Sequence, residues 1–146
     1  MSIETPRQAN NLIWILVGAI AISLAAIAAL NFRFGGICAN EILATVPSPD
    51  GTLKAVVFQR DCGATTAFST QVSVLRAHET LREDGGNLFV ADCDHGAAPS
   101  GPGGGPEVRV NWSSRRGLTV ACHKRARVFK ENTWLWGVSA SYTKFD

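Results

Sequence analysis

The chain begins with one long apolar run and continues with short runs in which apolar and polar residues alternate. Leu12 to Leu30 contains 19 residues and no charge. A helix rises about 1.5 Å per residue, so this run matches the ~30 Å hydrocarbon core of a bilayer. Trp14 lies near one end and Phe32 to Phe34 just past the other, as interfacial anchors often do. The pattern predicts a single-pass transmembrane helix over 12–30, after a short N-terminal tail at 1–11.

Two other interpretations of the apolar run remain open. A cleavable signal peptide would use Ala26-Ile27-Ala28 as its small-x-small cleavage site and Arg7 as its weakly basic start. The run is longer than the usual apolar region of about 7–15 residues in a signal peptide, which favours a retained signal-anchor. A lipoprotein is less favoured, because the bulky Ile37 stands directly before Cys38.

Beyond a juxtamembrane linker at 31–40, the chain has the pattern of short strands separated by turns. The run 107–112 alternates apolar and polar residues, which is typical of a strand with one buried face. Pro47 to Gly51 has strong turn chemistry between two such runs. The predicted strands are 41–46, 53–60, 71–76, 88–91, 107–112, 118–122, 127–129 and 134–145. About seven or eight strands without a helix predict an all-β domain over 41–146, either an antiparallel sandwich or an open barrel.

Four cysteines, Cys38, Cys62, Cys93 and Cys122, all follow the apolar run. An even number in a small domain is typical of disulfides in an oxidising compartment, which favours an extracytoplasmic domain and an N-terminus inside. If the first two strands form a hairpin around Asp50, facing positions sum to about 100, so Cys38 faces Cys62. Cys93 and Cys122 then pair by elimination.

Composition and charge exclude several classes of protein. With 146 residues, 46% hydrophobic and 18% charged, the chain has room for one modest domain and is not a disordered tail. The formal net charge of +2 is too small to predict nucleic-acid binding. The charge is uneven, because 39–106 holds 4 basic and 8 acidic residues, whereas 107–146 holds 8 basic and 3 acidic residues.

The basic residues of the second segment predict a surface for an acidic partner or anionic headgroups, with ordinary solvated charges as the alternative. They are Arg115, Arg116, Lys124, Arg125, Arg127 and Lys130. In the predicted closing strand, Trp134 and Trp136 share a face with Val138, Ala140 and Tyr142. Such an aromatic stripe belongs either to the core or to a docking face for a protein or a glycan.

Small residues repeat along one face of the predicted helix, at Gly18, Ala21, Ala25 and Ala29. Small side chains on one face let another transmembrane helix approach closely. The alternative is that alanine is simply common in apolar helices.

No catalytic, metal or cofactor site is predicted. Cys93-Asp94-His95 and Cys122-His123 contain zinc and copper ligands, but adjacent strand residues point to opposite faces. Gly137 to Ser141 lacks the second glycine of a nucleophile elbow, and the hydroxyls at 65–70 typically bond to local backbone. The glycine-rich run 96–106 has no phosphate-binding lysine and predicts a mobile loop.

Six blocks of the chain form a distinctive pattern: Ser48–Gly51, Lys54–Phe58, Arg60–Thr66, Phe68–Ser73, Asn87–Asp92 and Ala126–Phe129. Together they resemble an uncharacterised family of small bacterial membrane-anchored proteins. The resemblance covers most of the region after Cys38 and implies a bacterial source and a shared β domain. It brings no catalytic residues.

Two functions are therefore expected. The first is a non-enzymatic accessory or structural subunit of a bacterial membrane complex, anchored in the inner (cytoplasmic) membrane with its β domain periplasmic. The second is a free-standing anchored domain that binds or hydrolyses a cell-envelope ligand, through the 65–70 loop or the face of Trp134 and Trp136.

Overall fold

The computed structural model describes residues 6–34, 38–63 and 66–146. The chain divides into two compact units, with the boundary between Ile37 and Cys38. The first contains helix α1 (Pro6–Phe34), which is longer at both ends than the apolar run that predicts it. Pro6 suits the first turn of a helix, because that position needs no backbone N–H.

Side chains of α1 are described for residues 10, 11 and 13–27. In this described part, we find no helical segment with the length and apolarity required to cross a membrane. The large apolar side chains between Ile13 and Ile27 are each at least half exposed.

The second unit is an all-β domain, as predicted. Its described residues form nine strands: β1 (Ala39–Pro47), β2 (Leu53–Asp61), β3 (Ser69–Arg76), β4 (Phe89–Asp92), β5 (Val108–Trp112), β6 (Gly117–His123), β7 (Arg127–Glu131), β8 (Trp134–Leu135) and β9 (Val138–Phe145). One sheet has the order β1-β2-β3-β4-β7 and the other β5-β6-β9-β8. The first strand begins at Ala39, two residues before the predicted strand 41–46.

The β1–β2 hairpin has the predicted register. Ala39 pairs with Asp61 and Pro47 with Lys54, with one irregularity after Ile42. The disulfide between Cys38 and Cys62 closes its open end, which confirms the sequence prediction.

Two features of the second sheet differ from the prediction. β6 and β9 run parallel, because 14 residues that include β7 in the other sheet separate them and act as a crossover. The predicted strand over 134–145 is also interrupted. Trp136 and Gly137 have φ angles of 50° and 82°, as a two-residue type I′ hairpin turn requires.

The core lies between the two sheets and draws on both. Val57, Val72 and Phe89 lie opposite one another across β2, β3 and β4. The ring of Phe89 stacks on Tyr142 of the other sheet, with 5.9 Å between ring centroids. Leu118 and the other inward residues of β6 complete this cluster.

A connecting segment, residues 77–87, covers the outward face of the first sheet; we call it the strap. Arg60 of β2 donates from its guanidinium to the carbonyl oxygen of Glu83 at 3.1 Å. The side chain of Gln71 accepts from the N–H of Gly86 at 2.6 Å. Both faces of β2 are therefore covered, which explains its nearly continuous burial.

Candidate functional site: a cleft at the turn end of the β domain

The β domain has two ends of different character. The disulfide Cys38–Cys62 marks one end, which we call the disulfide end. The opposite end carries the tight turns at 48–52, 113–116 and 136–137, and we call it the turn end. Side chains from all three turn regions converge here.

Two adjoining cavities at the turn end form what we call the Trp136 cleft. Their volumes are about 580 Å³ and about 620 Å³, and they share Trp136 and Glu79. The larger is lined by Thr52, Arg76 and Arg116. The other cavity lies along the strap and is lined by Leu81 and His78 of that segment. Volumes of this size are within the usual range of ligand-binding pockets.

Trp136 combines high exposure with an unfavourable backbone conformation. Its side chain is 60% exposed and its φ is 50°. A bulky residue in the left-handed region is uncommon, because its Cβ crowds the backbone. Asn or Gly would suit this turn position better, so a tryptophan here points to a constraint other than folding.

Arg76 and Arg116 supply the unpaired positive charge of the Trp136 cleft. Neither guanidinium takes part in the ion pairs formed among the described residues. The carboxylate of Glu79 accepts from the backbone N–H of Arg76 at 3.1 Å. Arg82 and Asp84 pair with each other, so the lining carries one net positive charge.

The charge of Arg116 acts on Asp50, but the Asp50 carboxylate already accepts hydrogen bonds within its own turn. The Ser48 hydroxyl donates to its carboxylate at 2.7 Å, and the backbone N–H of Thr52 donates at 3.2 Å. These hydrogen bonds, with a smaller contribution from Arg116, lower the pKa of Asp50 to about 2. Asp50 is therefore a fixed anion that orders the 48–52 turn.

The predicted basic surface is divided by the fold. Arg115 and Arg116 precede β6 and Lys124 and Arg125 follow it, so the length of β6, roughly 20 Å, separates the two pairs. Only Arg116 of these four lines the Trp136 cleft.

The other two predicted basic residues lie in β7 and have partners. Arg127 pairs with Asp92 and Asp94. Lys130 donates to the carbonyl oxygen of Gly86 in the strap at 2.7 Å. Arg127 and Lys130 therefore contact other parts of the chain, and binding of an acidic partner by the six basic residues stays a prediction.

The predicted aromatic face is divided in the same way by the β8–β9 turn. Val138 and Ala140 are buried in the core, whereas Trp134 and Trp136 are 67% and 60% exposed. Trp134 pairs with Ser139 on the outward face of the second sheet and lines neither cavity of the cleft.

A further cavity of about 420 Å³, the His95 groove, lies at the disulfide end. The hydroxyls of Thr66 and Ser69 line it beside the exposed His95, which has a φ of 54°. Burial acts to raise the pKa of Asp92, but the hydrogen bonds and charge of Arg127 hold it below its usual value. Thr65 of the predicted hydroxyl loop lies outside the described residues.

The predicted bridge between Cys93 and Cys122 is wrong, because both are buried free thiols. Cys93 follows β4, and its Sγ lies 3.8 Å from the carbonyl oxygen of Gly104. Cys122 belongs to the other sheet, and its Sγ accepts from Lys144 Nζ at 3.2 Å. Among the described residues, no three His, Cys, Asp or Glu side chains are placed to hold a metal ion.

Part of the glycine-rich run 96–106, which the sequence predicts to be a mobile loop, packs closely against the first sheet. Gly101 donates its N–H to the carbonyl oxygen of Gly105 at 2.7 Å. A Cβ on Gly103 would lie 2.3 Å from the side chain of Gln59, and one on Gly105 would lie 2.5 Å from Thr70 Oγ1. Glycine is needed here because the backbone contacts these side chains directly.

The small residues of α1 lie on one helix face, as the spacing requires. Ala21 and Ala25 are exposed, and a Cβ on Gly18 would meet nothing within 4 Å. The side chain of Ala29 lies outside the described part of the helix.

Sequence reasoning identified Arg116 and Trp136 but missed Arg76 and Glu79. The available signal was position, because Arg76 ends β3 opposite Leu53, the first residue after the 48–52 turn. Comparisons with models of protein families, with curated proteins and with solved structures returned no match for this chain.

Proposed function

We propose that this chain is a non-enzymatic accessory subunit of a bacterial membrane protein complex. Helix α1 anchors it in the inner membrane, and the extracytoplasmic β domain docks on a protein partner. The observation that carries the proposal is Trp136, exposed at a strained turn beside the unpaired Arg76 and Arg116. Tryptophan and arginine are the residue types most enriched among the energetically dominant residues of protein interfaces.

The anchoring role is supported by the surface of α1. Trp14 and Ile22 are 70% and 73% exposed, and large apolar side chains lie on all sides of the helix between Ile13 and Ile27, where its side chains are described. A helix that is apolar on every face requires an apolar environment. Cleavage after Ala28 is the alternative, and the mass of the mature protein distinguishes the two.

The disulfide between Cys38 and Cys62 supports an extracytoplasmic β domain and an N-terminus inside. Such bonds persist in oxidising compartments and are rare in the cytosol. The resemblance of the blocks quoted above to small bacterial membrane-anchored proteins agrees with this location.

Docking is tested by the native size of the protein after mild detergent extraction, with mass spectrometry of co-migrating chains. We expect a large assembly with a stoichiometric partner, which Trp136→Ala disrupts and Trp134→Ala leaves intact. Trp134 is the matched control, because it is equally exposed but lies outside the cleft. Migration at the protein's own mass, or equal loss with both variants, contradicts the proposal.

Helix packing is tested separately through the small-residue face of α1. Ala25→Leu combined with Ala29→Leu should weaken the assembly, because bulky side chains prevent close approach of a second helix. Ala19→Leu combined with Ser23→Leu is the control on another face. If the native size of the first variant is unchanged, α1 does not pack against a second helix in the assembly.

The His95 groove favours a second candidate function, the binding of a cell-envelope ligand. Thr66, Ser69 and His95 line one cavity, which supports this function, although Asp61 is not among its lining residues. Asp61 is occupied by the N–H of Gly63 at 2.9 Å, and Ser69 accepts from Gln71, so binding is better supported than hydrolysis. Titration with soluble cell-wall fragments, followed by NMR, should shift resonances around His95. Shifts at the Trp136 cleft alone would exclude this groove.

A further inference from the structure

We infer that the Trp136 cleft receives an acidic, partly apolar peptide segment of the partner protein. A carboxylate of this segment lies between Arg76 and Arg116, and a neighbouring apolar side chain lies against Trp136. The inference rests on the proposed docking function and specifies the chemistry of the partner.

The cleft favours an anion, because Arg76 and Arg116 outnumber the single carboxylate, Glu79, in their cavity. Arg127, Arg109 and Arg82 have carboxylate partners within the chain. Arg76 and Arg116 have none among the described residues, although they line the same cavity. Guanidinium groups bind carboxylates with directional, charge-assisted hydrogen bonds.

The apolar part of the cleft selects a peptide over a headgroup. The adjoining cavity of about 580 Å³ has Leu75, Leu81 and Trp136 among its lining residues. An anionic headgroup would satisfy the arginines but leave these three apolar side chains uncovered. In an extended peptide, alternate residues can present an acidic and an apolar side chain to the two cavities.

The turn directs Trp136 outward. Its place in a two-residue hairpin, directly before Gly137, sets the direction of its Cα–Cβ bond, and the side chain has only two further rotatable bonds. A rigid aromatic side chain loses little conformational entropy on binding, so more of its contact energy contributes to affinity.

The test uses the full chain in a non-ionic detergent and fluorescence anisotropy of a labelled peptide that alternates Glu and Leu. Versions with Gln or Lys in place of Glu are the comparison probes. We expect the Glu peptide to bind, and Arg76→Gln or Arg116→Gln to weaken it by about ten-fold or more. Arg115→Gln is the matched control, because Arg115 neighbours Arg116 but does not line the cleft.

Four results would overturn the inference. They are no binding of the Glu peptide at millimolar concentration, equal binding of the Gln peptide, equal loss with Arg115→Gln, and displacement of the peptide by mixed micelles of the detergent with phosphatidylglycerol. The two proposals fail in different ways. A native assembly that needs Trp136 but tolerates Arg76→Gln with Arg116→Gln keeps the docking function and rejects the acidic partner. Peptide binding without any native assembly keeps the acidic-peptide site and rejects the docking function.

Discussion

The indole N–H of Trp112 donates to the carbonyl oxygen of Val46 at 3.0 Å, across 66 residues of sequence. This bond joins β5, an edge strand of one sheet, to β1, an edge strand of the other. No β ladder among the described residues pairs these two strands, so side-chain contacts join the sheets there.

Replacement of Trp112 by Phe should therefore destabilise the β domain. The change removes the donor and leaves the Val46 carbonyl without its partner, so we expect a loss of about 1–3 kcal/mol in the free energy of unfolding. Urea unfolding of the full chain in detergent measures the loss. Trp134→Phe, at an exposed site, should change it by less than about 0.5 kcal/mol. If the two variants lose the same free energy of unfolding, the hydrogen bond from Trp112 to Val46 does not contribute to stability.

Tyr142 should make stability depend on alkaline pH. Burial, followed by the charge of Glu131, raises the pKa of Tyr142 from 10.0 to about 12. The unfolded chain ionises first, so the stabilisation is fully present below pH 10.0 and is lost as pH rises towards about 12. Because this is the single tyrosine, tyrosinate absorbance reports its titration directly. Tyr142→Phe should lack this part of the pH dependence. An ordinary titration near pH 10 would contradict the buried environment.

Thiol chemistry should separate the four cysteines into two classes. Alkylation of the denatured, unreduced chain should label Cys93 and Cys122 but not Cys38 or Cys62. Reduction should cost about 2–4 kcal/mol, because the bond closes a loop between residues that are 24 positions apart. The double variant Cys38→Ser with Cys62→Ser should be insensitive to reductant. If none of the four cysteines is labelled, Cys93 and Cys122 are joined by a second disulfide and the free-thiol assignment is wrong.

The packed glycine-rich loop should not tolerate a methyl group at Gly105. The added Cβ would lie 2.5 Å from Thr70 Oγ1 and 2.7 Å from its backbone nitrogen, so Gly105→Ala should cost about 1–3 kcal/mol. At Gly85 the nearest atom lies at 3.6 Å, so Gly85→Ala serves as the control. Equal unfolding midpoints for the two variants would mean that the loop moves freely.

Trp136→Asn should separate folding from docking. Asparagine tolerates the left-handed conformation, so we expect the free energy of unfolding to stay equal or to rise by up to about 1 kcal/mol, while docking is lost. Trp136→Ala retains a strained Cβ and should gain no stability. If the Asn variant unfolds more easily than the Ala variant, Trp136 serves the fold.

Local patterns in the chain were sufficient for much of the fold. The alternation at 107–112 predicted β5 closely, and the turn at 47–51 placed Cys38 opposite Cys62. These features depend on residues close in sequence or on one hairpin, where side-chain periodicity and turn chemistry determine the geometry.

The Trp136 cleft was only half predictable. Arg116 and Trp136 stood out as a basic and an aromatic residue, whereas Arg76 and Glu79 had no local signal. Alternation continued through Trp134, Trp136 and Val138, which concealed the turn that Gly137 permits.

By itself, the sequence determined most of the β elements, the first disulfide and the long apolar run, since each follows from periodicity or from neighbouring turns. Tertiary structure alone decided that Cys93 and Cys122 remain free, that β6 and β9 run parallel, and that β6 separates Arg116 from Lys124. These outcomes depend on which strands become neighbours in each sheet. Strand neighbours are chosen by how the whole core is buried. A short stretch of sequence does not carry that information.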